Sequence, residues 1–305
     1  RDLHSFPTRR SSDLDLHGVC AGFESRQWRK DQLVDYLFEY LPEFALTYSE
    51  LDNLTGENMV AKIRQVAASI YQSEKFKNRG EFGELLLHAI IREMYNTIPA
   101  ISKIYYKDGP NETVKGFDAV HVVATGKTLE LWLGEVKFYS DIYNAVSDII
   151  EELNEHIKVR YIRNEFIAIT NKIDNKWPHA DRLKTLLHPN ISLDDVFSNT
   201  CIPVLLTYDS KTLAKYNNKC EEYIREIFDV WHGPSNRKSA LRQQRQLSRR
   251  RLCLLLRSRS RAPLKPIGGS PLPCRSPEHT AGGVAAACTA RHRFRYPRRR
   301  KFLSL

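Results

Sequence analysis

The sequence predicts a mixed α/β fold behind a helical N-terminal segment. Three observations carry that expectation. Two amphipathic helical stripes open the organised part. Helices and strands then interleave in the order α-β-β-β-α-β. Two apolar runs flank Thr125, Gly126 and Lys127, as the arms of a hairpin would. The 305 residues are 42% hydrophobic and 10% aromatic, enough to bury at least one core.

The elements follow in chain order. Residues 28–40 carry Leu33, Tyr36, Leu37 and Tyr40 at helical spacing, with Leu41 next and Pro42 as the expected stop. Residues 57–73 carry Met59, Val60, Ile63, Val66, Ala67 and Ile70 on one stripe after an entry turn at Thr55 and Gly56. Asn78, Arg79 and Gly80 open a helix over 81–96, which ends before Pro99. A strand is expected at 102–107, then a loop through Asp108, Gly109, Pro110 and Asn111. The hairpin arms are 116–124 and 128–139. A helix over 141–157 places Ile142, Val146, Ile149, Ile150, Leu153 and Ile157 inward and Asp148, Glu151, Glu152 and Glu155 outward. A strand at 165–170, a helix at 180–188, a strand at 202–208 and a helix at 219–231 complete the reading.

The formal charge of +11 is unevenly spread. Residues 235–305 hold 19 Lys+Arg and one acid, Glu278; residues 1–234 hold 28 Lys+Arg against 35 acids. The organised part is therefore mildly acidic, and any nucleic-acid contact there needs a local patch or metal ions. Residues 5–14, SFPTRRSSDL, resemble the conceptual translation of a short-read sequencing adapter, so 1–14 are set aside as an artefact. The Arg-rich stretch 235–305 lacks a helical or strand period over its length. It is read first as a frameshifted or chimeric end, next as a disordered basic arm, last as a folded domain. The resulting division is 1–14, a helical segment 15–77, a mixed domain 78–234 and the tail 235–305. No apolar run is long enough for a membrane helix, and no signal peptide is expected. The six Cys form no CxxC pair, which points to a reducing cytoplasmic compartment. Cys201 and Cys220 read as ordinary buried thiols.

A two-residue turn at Gly126 and Lys127 sets the hairpin register. Ala124 then faces Leu129, Val122 faces Leu131, Val120 faces Leu133, and Asp118 faces Glu135. Lys137 follows on the same face, so an apolar stripe ends in Asp118, Glu135 and Lys137. The opposite face carries Ala119, His121, Glu130 and Trp132. Buried charge must be paired or bound to metal. One reading is a salt bridge from Glu135 or Asp118 to Lys137 that seals the sheet. The other is a pair of carboxylates holding a divalent ion, with Lys137 acting on a water; hard oxygen ligands suit Mg²⁺ or Mn²⁺.

Asp118 followed, after a gap of 16 residues, by Glu135-Val136-Lys137 resembles the PD-(D/E)xK nuclease motif, with Gly116-Phe117 in place of the Pro before the Asp. That resemblance implies a restriction-endonuclease-like core and an acidic residue on its first helix completing the metal site. Glu84 is the candidate there and Glu81 its reserve, both in RGEFGELLLHAI, with His88 four residues after Glu84. The stretches RGEFGELLLHAI, SKIYYK, KGFDAVH and LWLGEVKFY resemble the HamA (AbpA) C-terminal domain family. The family implies a Mg²⁺- or Mn²⁺-dependent DNA nuclease effector of bacterial anti-phage defence systems, Hachiman among them. It also implies a superfamily 2 helicase partner. Asp118, Glu135, Lys137 and Glu84 are then the expected catalytic residues, and the two-carboxylate set with Glu84 the metal ligands.

Other features read as structure first. Lys103, Lys107 and Lys115 could meet phosphates or simply be solvated, and Tyr105 and Tyr106 are expected to pack in a strand. Ser140, Asp141 and Tyr143 could cap the following helix. No GxxxxGK[ST] loop is present, so the chain does not power a helicase itself. Two other functions compete with the nuclease: a catalytically inactive nucleic-acid-binding or scaffold subunit, and a metal-free salt-bridged regulatory domain.

Overall fold

The computed structural model describes residues 4–5, 14–71, 80–102, 116–138, 142–232 and 251–259. The N-terminal part holds β1 (His4–Ser5), β2 (Leu14–Cys20), β3 (Phe23–Glu24), β4 (Gln27–Trp28), α1 (Lys30–Ala45), α2 (Tyr48–Asp52) and α3 (Met59–Tyr71). Next come α4 (Gly80–Tyr95), β5 (Ile98–Pro99), β6 (Ala119–Thr125), β7 (Thr128–Phe138), α5 (Ile142–His156) and α6 (Val159–Lys172). Then follow α7 (Ala180–Leu186), α8 (Leu193–Ser198), β8 (Thr200–Asp209), α9 (Lys211–Lys215), α10 (Glu221–His232) and β9 (Arg251–Arg259).

The hairpin forms in the expected register. Thr125 pairs with Thr128 and Ala119 with Gly134, closing the two-residue turn. Gly126 has φ +53°, the positive value that the first position of such a turn requires. β5 lies antiparallel on the outer edge of β6, and β8 runs parallel to β7 on the other side. A parallel neighbour needs a long crossover, and α5 to α8 supply it. These four strands lie within a seven-stranded sheet of order β1-β2-β9-β8-β7-β6-β5.

Helices cover both faces. Leu86, Leu87, Ile90 and Ile91 of α4 pack with Ala119, Trp132 and Leu205 on one face, backed by Leu37, Leu41 and Phe44 of α1. On the other face Val120, Val122, Leu131 and Leu133 pack with Ile162, Phe166 and Ile169 of α6 and with Leu183 and Val196. The alternation read from the sequence is thus the real division of β6 and β7 into two buried surfaces.

Three expectations change, and one falls outside the described residues. Pro42 lies inside α1 rather than ending it: Phe44 and Ala45 are buried in the next turn, and Leu46 N donates to Pro42 O. The stretch 165–170 is helical, within α6, because Ile162, Phe166 and Ile169 repeat at three and four residues on one buried side. A six-residue apolar run does not separate strand from helix; the longer window does. Of the strand expected at 102–107, only Ser102 lies within the described residues, as do neither the three lysines and two tyrosines around it nor Ser140 and Asp141. The tail departs from the reading over 251–259, where RLCLLLRSR forms β9 between β2 and β8, parallel to both. A short continuous apolar run is the pattern usual for a strand of a parallel sheet.

Gly134 lets α4 approach the sheet. A Cβ there would stand 2.7 Å from Leu87 Cδ2 and 3.0 Å from Ala119 Cβ, both buried. Gly134→Ala is expected to destabilise the fold by about 1–3 kcal/mol through overpacking. A urea midpoint equal to the parent's would show that α4 yields at this point.

Candidate functional site

The charged end of the hairpin is built where β7 passes from its antiparallel to its parallel neighbour. The ladder with β6 stops at Gly134, and Glu135 and Lys137 instead sit opposite Val204 and Leu206 of β8. Asp118 lies just before β6. Its N–H donates to Gly134 O at 2.7 Å, and its Oδ2 accepts the Val136 N–H at 2.8 Å. The Asp118 carboxylate is therefore held against the backbone between Glu135 and Lys137.

Glu135 is only 2% exposed. Its Oε1 meets His156 Nδ1 of α5 at 2.8 Å. Lys137 Nζ pairs with Glu152 of the same helix. His156 is flanked by Phe117, edge-on at 5.2 Å, and stacks on Tyr161 at 4.5 Å. Both strand residues thus leave β7 on one face, as the alternation requires. Their partners are not each other, as the simple salt-bridge reading had it, but two side chains of α5.

Glu152 and His156 were missed as site residues. Glu152 was expected to point outward with the other acids of that helix, yet it faces the sheet. The signal was present: 149, 152, 153 and 156 repeat at three and four residues, and Ile149 and Leu153 are buried in the core. Both polar residues lie along that inward stripe.

Glu84 and Glu81 stand on α4, which packs on the opposite surface of the sheet from the Glu135–His156 pair. Among the described residues no three His, Cys, Asp or Glu side chains are grouped to hold one ion. The expected set of Asp118, Glu135 and Glu84 is therefore not assembled in this arrangement, and the layering of the helices is the reason.

The α4 surface holds a separate buried polar chain. His88 Nδ1 lies 3.1 Å from His121 Nε2, His121 Nδ1 lies 2.8 Å from Thr97 Oγ1, and His88 Nε2 lies 3.5 Å from Glu43 Oε2. Arg92 Nε donates to the same Glu43 oxygen at 2.7 Å. With both rings neutral, one consistent direction exists: the Thr97 hydroxyl donates to His121, His121 to His88, and His88 to the Glu43 carboxylate. Burial lowers both histidines, and the Arg92 charge adds to this; at His88 the Glu43 contact opposes it. Burial pushes Glu43 up, but its contacts to His88 and Arg92 outweigh that and leave it lowered.

These directions predict acid lability. A histidine lowered on folding binds more protons when unfolded, so its full stability is present above the unfolded value of 6.5. That stability is lost as pH falls below it. The melting temperature should drop between about pH 7 and pH 5, and less steeply in His121→Gln, which keeps a donor toward His88. Parallel pH profiles for the two proteins would show that the pair is not the source.

The HamA family model matches residues 3–255, from β1 into β9. No curated protein matches the chain.

Proposed function

The chain belongs to the HamA family, and we propose that it is the metal-dependent DNA nuclease subunit of a bacterial anti-phage defence system, hydrolysing phosphodiester bonds. Membership is consistent with a defence role. The observation that carries the chemistry is the convergence of Asp118, buried Glu135 and Lys137 on one strand junction. Among the described residues no helix is long and apolar enough to cross a membrane. The proposed partners are DNA and, from the family, a superfamily 2 helicase.

The donors suit Mg²⁺ or Mn²⁺. Asp118 and Glu135 supply hard carboxylate oxygens beside one strand, and Mg²⁺ commonly takes only one or two carboxylates, the rest of its shell being water and substrate phosphate. A three-carboxylate cluster is therefore not required, and Glu84 stays outside the proposed pair. When bound, such an ion supplies positive charge to the scissile phosphate. Asp118 orients by accepting the Val136 N–H, which fixes it relative to Glu135. Lys137 neutralises charge on the phosphate or orders the attacking water. The low-dielectric surroundings of Glu135 strengthen these contacts.

A second reading has a specific observation in its favour: Glu135 and Lys137 are already paired with α5. On that reading the contacts are purely structural, and the chain is an inactive nucleic-acid-binding or scaffold subunit. Glu135→Gln and Lys137→Ala separate the two. The nuclease reading expects both to abolish Mg²⁺-dependent cleavage, tested with the partner present if one is required. Glu135→Gln weakens metal binding, whereas Lys137→Ala leaves it equal or tighter. The structural reading expects Mg²⁺ to leave the melting temperature of all three proteins unchanged. It also expects Glu135→Gln to cost about 3–5 kcal/mol, the typical loss on breaking a buried pair.

A further inference from the structure

Glu135 and Lys137 are two residues apart on β7, a rise of about 6.6 Å along a strand. Glu152 and His156 are four residues apart on α5, a rise of about 6 Å along a helix. The near-equal spacing lets one helix face meet both strand side chains at once, His156 on Glu135 and Glu152 on Lys137. The neighbouring strand offers no alternative partner, since Val204 and Leu206 stand beside these two positions.

The chemistry of the two contacts is the informative part. A nitrogen donor occupies the carboxylate that would hold a cation. A carboxylate occupies the ammonium that would meet a phosphate. Each stand-in matches in kind the group it displaces, and both belong to one helix. Resting on the nuclease reading above, we propose that α5 is a latch on the site. His156 and Glu152 hold Glu135 and Lys137 in a closed state, and a divalent cation with a phosphodiester takes their places. One displacement of the helix would release both residues together. Phe117 and Tyr161 hold the His156 ring in its closed position, while Ile149 and Leu153 anchor the helix to the core.

The test is Mn²⁺ titration by calorimetry on the full chain, using the parent, His156→Leu, His156→Asn and Glu135→Gln. His156→Leu keeps bulk but removes the competing donor, and should bind Mn²⁺ about tenfold more tightly, the change expected for about 1.4 kcal/mol of lost competition. His156→Asn keeps a donor and should stay near the parent. Glu135→Gln should bind most weakly. Affinity in His156→Leu equal to or below the parent's overturns the latch while leaving the metal reading intact. Absence of binding in every protein ends the metal reading, and the latch with it. If His156→Leu does not fold, amide exchange on the parent decides. Protection along α5 should fall when Mn²⁺ and a short DNA duplex are added, and unchanged protection with Mn²⁺ bound overturns the proposal.

Discussion

A charge at the end of a fully covered strand cannot be left alone, and β7 ends in two. The strand has β6 on one edge as far as Gly134, β8 on the other, and helices over both faces. Glu135, almost wholly buried, thus needs a positive or hydrogen-bonding partner. That requirement fixes where α5 lies. It also explains why its inward side carries Glu152 and His156 beside the apolar Ile149 and Leu153. Gly134 acts on the other face, bringing α4 close enough to exclude water from that side. The apolar packing and the ion pairs are two consequences of the same burial.

The parts of this arrangement legible in the sequence are those set by short-range rules. Gly126 and Lys127 fixed the hairpin, and the period of two then assigned Val120, Val122, Leu131 and Leu133 to one surface and Ala119, His121 and Trp132 to the other. The same period put Glu135 and Lys137 on one side. What escaped was tertiary. Nothing within EFIAIT alone distinguishes it as helix until Ile162 is counted with Phe166 and Ile169. Pro42 is tolerated because burial of Phe44 and Ala45 outweighs one lost backbone hydrogen bond. β9 shows up as a bare apolar run, LCLLL, with no alternation to mark it, the pattern usual for strands of parallel sheets.

The candidate site divides in the same way. Asp118, Glu135 and Lys137 were singled out because a register links them, and the family match over residues 3–255 agrees with the resemblance first carried by KGFD and LWLGEVKFY. Glu84 was drawn in by resemblance alone, and no register ties α4 to the Glu135 surface. His156 and Glu152 were passed over because helical acids next to an apolar stripe are usually solvated. Only the position of the helix over the strand end shows that these two are not.

The electrostatics of Glu135 also limit how a cation could enter. If an ion arrived while His156 stayed in place, one carboxylate would face two competing partners in a space where burial magnifies every charge. If His156 left first, a buried carboxylate would stand without a partner, a state that typically costs several kcal/mol. Neither intermediate is favourable, so partner exchange at Glu135 has to be concerted with movement of the helix that carries His156. The same movement withdraws Glu152 from Lys137, which then needs an anion. A phosphodiester bearing its own cation meets both demands in one step, whereas cation alone meets only the first. On the proposed nuclease reading, the pairing of opposite charges at β7 would couple recognition of metal to recognition of nucleic acid, through the spacing of two residues on a strand and two on a helix.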